Sequence, residues 1–200
     1  VEKDATFNAG GTPVAAPVTC NGTITGGTFT ASVTCNGTIT GGTFKGAITG
    51  TGELAGGDFS GADISAFNGT ITGGTFAGYT ISVIDSDLTL TITGQNFDLT
   101  KIDLKSFELE QVVVAAGASV SNADEKNLAG VPFVNYGEIS GGTFNNKTVV
   151  NNRGSITDGD FRGATVNNDG TATVTGGTFD NFTMNSETGE IVFREQPHQN

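Results

Sequence analysis

The stretch VTCNGTITGGTF occupies residues 18–29 and recurs unchanged at residues 33–44. An identical run of this length at two places in one chain indicates an internal repeat, which is the sequence signature of a repeat architecture. Looser copies follow further along the chain, namely GELAGGDF at 52–59, NGTITGGTF at 68–76, GEISGGTF at 137–144, GSITDGDF at 154–161 and TATVTGGTF at 171–179.

Each copy places apolar residues at three positions instead of along one helical stripe. The second position is the Phe of the unit, five residues after the first, and the third follows four or five residues later. The first set is Ile24, Ile39, Leu54, Ile71, Ile139, Ile156 and Val174; the second is Phe29, Phe44, Phe59, Phe76, Phe144, Phe161 and Phe179; the third is Val33, Ile48, Ile64, Ile81, Val149, Val166 and Met184.

The repeat units are 15–18 residues long, which is too short for a helix pair or for a propeller blade of about 40 residues. The 200 residues include 31 Gly and 31 Thr, which favour turns and strands over helices. In a parallel β-solenoid, each coil lies about 4.8 Å above the last, so equivalent residues stack in columns. We therefore predict an all-β fold, a single-stranded parallel β-helix with three-sided coils of 15–18 residues.

Glycine and asparagine mark the corners of the predicted coil. Gly-Gly before each Thr-Phe allows the positive φ or close backbone approach of a sharp corner. The Asn-Gly pairs at 21–22, 36–37 and 68–69 would ordinarily suggest hairpins, but at this spacing they are interpreted as corners between successive sides. The variable stretches 151–153 and 167–169 are expected in outward loops.

The middle of the chain has a different period. From Phe97 it reads FDLTK-IDLKS-FELEQ-VVVAA, with apolar residues every five positions. This segment, about 97–114, resembles the pentapeptide-repeat family, and the resemblance implies a right-handed four-sided solenoid. Bulky Phe or Ile stands where that family usually has Ala. The alternative interpretation is a short amphipathic helix across 100–111.

Departures from the repeat divide the chain into five segments. Residues 1–17 are expected to form an N-terminal cap or leader, and 18–116 a first solenoid stack. Residues 117–136 are interpreted as a loop excursion with one helical turn near Asp124–Leu128. A second stack is predicted over 137–184, followed by a cap or tail at 185–200, because terminal repeats of solenoids are atypical.

The net charge of −12 argues against nucleic acid and anionic lipid as partners, since both require clustered cations. No apolar run approaches the roughly 18 residues of a membrane span. The chain begins at Val1 and not at Met, which suggests a processed or excised chain.

Cys20 and Cys35 hold equivalent positions in adjacent units. Stacked neighbours are compatible with a disulfide, and two free thiols are equally compatible with the sequence. A thiol nucleophile needs a base, and the single His of the chain, His198, lies near the C-terminus.

Paired carboxylates are the remaining candidates for chemistry. Asp-x-Asp on a strand places both carboxylates on one face, which suits a weak Ca²⁺ site or half of an acid/base pair. Solvated surface charge is the simpler interpretation. We expect no enzyme, no catalytic or metal site and no cofactor. The acidic candidates are Asp85/Asp87, Asp158/Asp160 and Asp58, and the only arginines are Arg153, Arg162 and Arg194.

Outward Thr-x-Thr pairs resemble the face of insect antifreeze solenoids, which implies ice binding, but Glu53/Ala55 and Glu138/Ser140 interrupt the array. DNA mimicry, as in gyrase-binding pentapeptide proteins, would need more acidic residues than Asp98, Asp103, Glu108 and Glu110. The Asn-x-Thr sequons at Asn21, Asn36, Asn68, Asn146 and Asn181 follow from the repeat itself. The Thr pairs are Thr23/Thr25, Thr38/Thr40, Thr70/Thr72, Thr89/Thr91 and Thr173/Thr175.

The GTITGGTF and GSITDGDF units resemble those of Gly/Thr-rich bacterial surface, adhesin-like proteins. The resemblance implies a non-enzymatic structural or binding solenoid, extracellular or at the cell surface, whose partner is a protein or a glycan. Self-association through the solenoid ends is a further expectation, because open strand edges invite other chains. The alternatives are a phage tail fibre or spike shaft and, less favoured, a carbohydrate-active enzyme or an ice-binding protein.

Overall fold

The structure is a computed structural model that describes residues 1–102, 107–124, 128, 130–144 and 147–184. The chain divides into two compact units, Val1–Leu88 (unit 1) and Thr89–Asn200 (unit 2). In both units short strands pair in parallel with the equivalent strands of the neighbouring coils. The predicted all-β parallel β-solenoid is therefore confirmed.

The coils of unit 1 have three sides, as predicted. The strands are β1 (Thr6–Asn8), β2 (Val18–Cys20), β3 (Thr23–Gly26), β4 (Thr28–Phe29), β5 (Val33–Cys35), β6 (Thr38–Ile39), β7 (Thr43–Phe44), β8 (Ile48–Thr49), β9 (Glu53–Leu54), β10 (Thr70–Ile71), β11 (Gly74–Phe76) and β12 (Tyr79–Ile84). One side is the sheet β1-β3-β6-β9-β10, the second is β4-β7 and the third is β2-β5-β8. Because each strand is only a few residues long, stability depends on pairing between coils.

The pairing register of unit 1 follows the sequence repeat. Ile24 pairs with Ile39, and Ile39 with Leu54. Phe29 pairs with Phe44 on the second side, and Val33 with Ile48 on the third. All seven side chains are at most 1% exposed, so the three apolar positions of the repeat line one continuous core within this unit.

The Asn-Gly pairs at 21–22 and 36–37 are corners between sides, as predicted, since β2 and β3 belong to different sheets. Successive coils approach closely there. A Cβ on Gly37 would lie 2.0 Å from the Gly22 carbonyl oxygen. The same oxygen accepts a hydrogen bond from the Thr38 N–H at 2.9 Å. This corner therefore has no room for a side chain at Gly37.

The strands of unit 2 pair in two parallel series. Its strands are β13 (Asp87–Ile92, which begins in unit 1), β14 (Phe97–Asp98), β15 (Gln111–Val114), β16 (Ser119–Asn122), β17 (Phe133–Asn135), β18 (Glu138–Thr143), β19 (Val149–Asn152), β20 (Ser155–Asn168), β21 (Thr173–Val174) and β22 (Thr178–Met184). One series carries β14, β16, β18, the first part of β20, and β21. The other carries β13, β15, β17, β19 and the last part of β20. β22 pairs with β20 both at Asp160–Phe161 and over Thr165–Asn168.

Phenylalanine rings form a stack in each unit. In unit 1, the Phe44 ring lies 4.9 Å from both the Phe29 and the Phe59 ring, with interplanar angles of 4° and 14°. In unit 2, the Phe161 ring lies 4.6 Å from Phe144 and 5.0 Å from Phe179. The ring spacing matches the distance between paired strands, so the stack repeats with the coil.

Two members of the predicted third apolar set differ from expectation. Val149 is 36% exposed, whereas its neighbour Val150 is fully buried and pairs with Val166. The inward residue of this coil is therefore Val150, and the prediction that it is Val149 was wrong by one residue. Ile81 is buried, but β12 runs antiparallel to β11. The chain reverses at Gly78, where φ is 84°, and so forms a hairpin instead of another parallel coil.

The segments inferred from irregular sequence are partly regular in the structure. β1 lies within the expected N-terminal cap and stacks on β3. β16 and β17 lie within the expected excursion 117–136 and continue the stack. The Leu128 N–H donates to the Asp124 carbonyl at 3.2 Å, and residues 125–127 of the predicted helical turn lie outside the described residues. Residues 185–200 lie outside the described part of the chain.

The five-residue period of the middle segment does not produce the alternative helix in the described residues. A 3-10 turn covers Leu99–Lys101, Gln111 begins β15, and no α-helix is present in the described part of 100–111. The inward residues Leu99, Leu109 and Val114 are buried. Residues 103–106 of this segment lie outside the described residues.

Candidate binding site

One inward corner position distinguishes the two units. In unit 1 it holds Cys20 and Cys35, which pair in β2 and β5. In unit 2 the equivalent position holds the buried Asn135, Asn152 and Asn168. Asn135 Nδ2 donates to Asn152 Oδ1 at 2.8 Å, and Asn152 Nδ2 donates to Asn168 Oδ1 at 2.7 Å. The Asn column hydrogen-bonds successive coils together, which satisfies the buried amides.

The two cysteines are free thiols, and both are fully buried. Cys20 Sγ lies 3.3 Å from the Gly22 carbonyl oxygen, and Cys35 Sγ lies 3.4 Å from that of Gly37, so both thiols adopt the same arrangement. Burial raises the pKa of Cys35 to about 11 and also raises the pKa of Cys20. These thiols are therefore protonated at neutral pH, which does not suit a nucleophile.

Both thiols of the folded protein are expected to be inert at about pH 8, because that pH lies well below the Cys35 pKa of about 11. An aromatic disulfide reagent should label both cysteines within minutes in urea and neither in the folded chain over the same period. A control carries exposed Ser32→Cys with Cys20→Ala and Cys35→Ala, and it should react while folded.

The raised pKa also gives a pH dependence of stability. The contribution of Cys35 to folding stability is complete below its ordinary pKa of 9.0 and is lost as the pH rises through its folded-state pKa of about 11. The reason is that the thiol of the unfolded chain ionises first. The urea midpoint should fall less over this range in Cys35→Ala. Rapid labelling of the folded chain at about pH 8 would contradict the assignment of buried, protonated thiols.

The predicted carboxylate pairs serve local structure. Asp160 accepts hydrogen bonds from Arg162 Nε at 2.9 Å and Nη2 at 2.6 Å, and this bonding lowers its pKa. Asp58 accepts from Ser60 Oγ at 2.6 Å, which lowers its pKa as well. Asp158 accepts from the Gly159 N–H at 2.8 Å, and Asp85 lies in a turn with a φ of 52°. Among the described residues, no three His, Cys, Asp or Glu side chains cluster as a metal site would require.

The outward Thr column is present in unit 1 but not continuous. Thr23 pairs with Thr38, Thr38 with Glu53, and Glu53 with Thr70. The Glu53 carboxylate accepts a hydrogen bond from Thr72 Oγ1 at 2.7 Å, so it links two coils. The prediction that Thr89 faces outward was wrong. Thr89 is fully buried, and it pairs with Gln111 in the parallel strands β13 and β15.

Unit 2 carries a distinct polar surface at the outside of the Asn column. We call it the polar corner and define it as Tyr136, Asn151, Arg153, Asn167 and Asp169. Tyr136, Arg153 and Asp169 each follow one of the buried asparagines in the chain, so they stack in three successive coils. Asn151 and Asn167 each precede one of those asparagines and pair with each other.

Side-chain contacts hold the polar corner in place. Arg153 Nη1 donates to the Tyr136 hydroxyl at 3.2 Å, and the guanidinium carbon lies 5.7 Å from the Tyr136 ring centre. Arg153 Nε lies 3.3 Å from Asp169 Oδ2. Asn167 Nδ2 donates to Asn151 Oδ1 at 2.9 Å. These side chains border a cleft of about 140 Å³. Its five lining residues are Asn151, Arg153, Asn167, Asn168 and Asp169.

Sequence reasoning did not find this surface. Residues 151–153 and 167–169 were expected in outward loops, yet Asn151 and Asn152 lie in β19, and Asn167 and Asn168 end β20. The available signal was the recurrence of Asn-x-Gly at 135–137, 152–154 and 168–170, which marks the same corner as the Asn-Gly pairs of unit 1. Variation in coil length concealed it.

Comparisons with protein-family models, with curated proteins and with solved structures each found no match to this chain. No helix among the described residues has the length and apolar character needed to cross a membrane.

Proposed function

We propose that this chain is a non-enzymatic structural and binding β-solenoid of a bacterial cell-surface or secreted adhesin-like protein. The observation that carries the proposal is the in-register stacking of successive coils in each unit. Such stacking holds outward side chains at fixed, repeated positions. A surface organised before contact loses little conformational entropy on binding.

The local bonding partners of the potentially reactive side chains support a role without catalysis. The thiols are buried and hydrogen-bonded, Asp160 is paired with Arg162, and Asp58 accepts from Ser60. Each group has a local partner that explains its position. Incubation with acidic polysaccharides and Ca²⁺ is expected to leave their viscosity unchanged, and a fall in viscosity that needs the folded chain would contradict the non-enzymatic assignment.

Adhesion itself is tested with beads that carry the chain. Beads coated with folded protein are expected to remain on bacterial or host cells under flow. Beads coated with the same chain after urea unfolding and thiol alkylation should wash off, because unfolding destroys the outward array but preserves composition and charge. Equal retention of the two bead types, or loss of both, would contradict an adhesive role.

Native mass spectrometry separates this proposal from a virion shaft. An adhesin module of this kind is expected to form no stable trimer at micromolar concentration. A stable trimer would favour a phage tail fibre or spike, in which several chains pack together, over the role proposed here.

A further inference from the structure

We infer that the polar corner of unit 2 binds a neutral, hydroxyl-rich saccharide. This inference rests on the proposed binding role and specifies its ligand. Four properties of the corner support it: the order of its side chains, their hydrogen-bonding groups, their charge and the difference from the matching corner of unit 1.

The polar corner is ordered by its own contacts. Arg153 bridges Tyr136 and Asp169, with distances of 3.2 Å to the Tyr136 hydroxyl and 3.3 Å to Asp169 Oδ2. Long polar side chains usually lose rotamer freedom when a ligand binds, and this loss weakens binding. Here the protein itself restricts Arg153 and Tyr136, so less freedom remains to be lost on contact.

The hydrogen-bonding groups of the corner suit hydroxyls. All five side chains that line the cleft are polar, and they comprise three amides, a guanidinium and a carboxylate. An amide has two N–H donors and a carbonyl acceptor with two lone pairs. The bond from Asn167 to Asn151 uses one donor and one lone pair, which leaves both side chains able to donate and accept. A sugar hydroxyl also does both, whereas an apolar ligand would leave these groups unsatisfied.

Tyr136 extends the surface with a ring. Its residue is 44% exposed beside the guanidinium of Arg153. An aromatic ring with a polar end suits a ligand that has both C–H faces and hydroxyl edges, as a pyranose has. The cleft, at about 140 Å³, is smaller than the roughly 300–1,000 Å³ of sites for drug-sized ligands, so it matches a single sugar ring of a longer chain.

The charge of the corner favours a neutral sugar. Arg153 and Asp169 form an ion pair, so the two charges offset each other. The whole chain carries a net charge of −12, which repels sulfated and uronic polymers.

The scaffold does not require these residues, as unit 1 shows. After its corner residues Cys20 and Cys35, unit 1 has Asn21 and Asn36, which hydrogen-bond to each other at 3.1 Å. The unit 1 corner therefore stacks without a ring, a cation or a carboxylate. Tyr136, Arg153 and Asp169 are additions to a corner that is complete without them, which indicates a role beyond coil stacking.

The test measures binding of the full chain to dextran and to mannan by affinity gel electrophoresis, with alginate and heparin as anionic comparisons. The wild-type chain should be retarded by at least one neutral polymer and by neither anionic polymer. Tyr136→Ala should weaken this binding at least about tenfold, since it removes both the ring and the partner of Arg153. Tyr136→Phe should retain most of it, and Asn36→Ala, at the matching corner of unit 1, should bind as the wild type does.

Circular dichroism and urea midpoints confirm that each variant is folded. The inference is overturned if neither neutral polymer retards the chain, if an anionic polymer binds more tightly, or if folded Tyr136→Ala binds unchanged. Its failure can be told apart from that of the proposed function. Beads that adhere to cells, and adhere equally with Tyr136→Ala, would keep the adhesive role and reject the saccharide site.

Discussion

Gly37→Ala is expected to lower the free energy of unfolding of unit 1 by about 3 kcal/mol, the upper end of the range for overpacking. The added Cβ would lie 2.0 Å from the Gly22 carbonyl oxygen. That oxygen also accepts from the Thr38 N–H, so it cannot move away without loss of a bond between coils. The urea midpoint, followed by circular dichroism in the strand region, measures the effect.

Gly11→Ala is the matched control. A Cβ at Gly11 would meet nothing within 4 Å, so this variant should be as stable as the wild type or slightly more stable. If Gly37→Ala and Gly11→Ala have the same urea midpoint, successive coils do not approach closely at the Asn-Gly corner.

Phe44→Ala is expected to lower the free energy of unfolding by about 3–5 kcal/mol, as for other large cavities in protein cores. The Phe44 side chain is 1% exposed and its ring lies 4.9 Å from the rings of both neighbours, Phe29 and Phe59. Truncation removes two ring contacts and leaves a cavity between coils that are held apart by backbone pairing. Urea unfolding measures the loss.

Phe7→Ala tests whether the loss comes from the stack. Phe7 is only partly buried, and its ring is tilted by 54° to that of Phe29 with 6.1 Å between the ring centres. Its truncation should cost less than half as much as that of Phe44. Equal losses for the two variants would indicate that position within the stack is unimportant and would contradict the columnar core.

The repeat predicted the fold because, in stacked coils, residues at equal spacing in the sequence come to lie above one another in columns. Ile24, Ile39 and Leu54 are far apart in sequence, yet equal spacing suffices to align them once the chain coils. The same logic located the Phe stack and the Asn-Gly corners. It failed at Val149 and at the β11–β12 hairpin, where a change in coil length or a turn at Gly78 breaks the period.

The candidate site was less accessible to sequence reasoning. In the sequence, Arg153 is one of three arginines and Tyr136 falls in the expected excursion, so no predicted repeat unit joins either of them with Asp169. Their contacts at 3.2 and 3.3 Å depend on three coils of unequal length that meet in register at one corner. The sequence pattern does not show which residues of these unequal coils lie in register.

By itself, the sequence determined the parallel coil, the inward side chains of the repeats and the glycine corners, because identical units must pack in an identical way. Only the tertiary structure decided which residues meet across coils where the repeat is imperfect. It buried Asn152 and Asn168 as a hydrogen-bonded column and placed Arg153 between Tyr136 and Asp169. The physical reason is that backbone pairing sets the register of each coil, and side chains in irregular coils become neighbours only after that register is set.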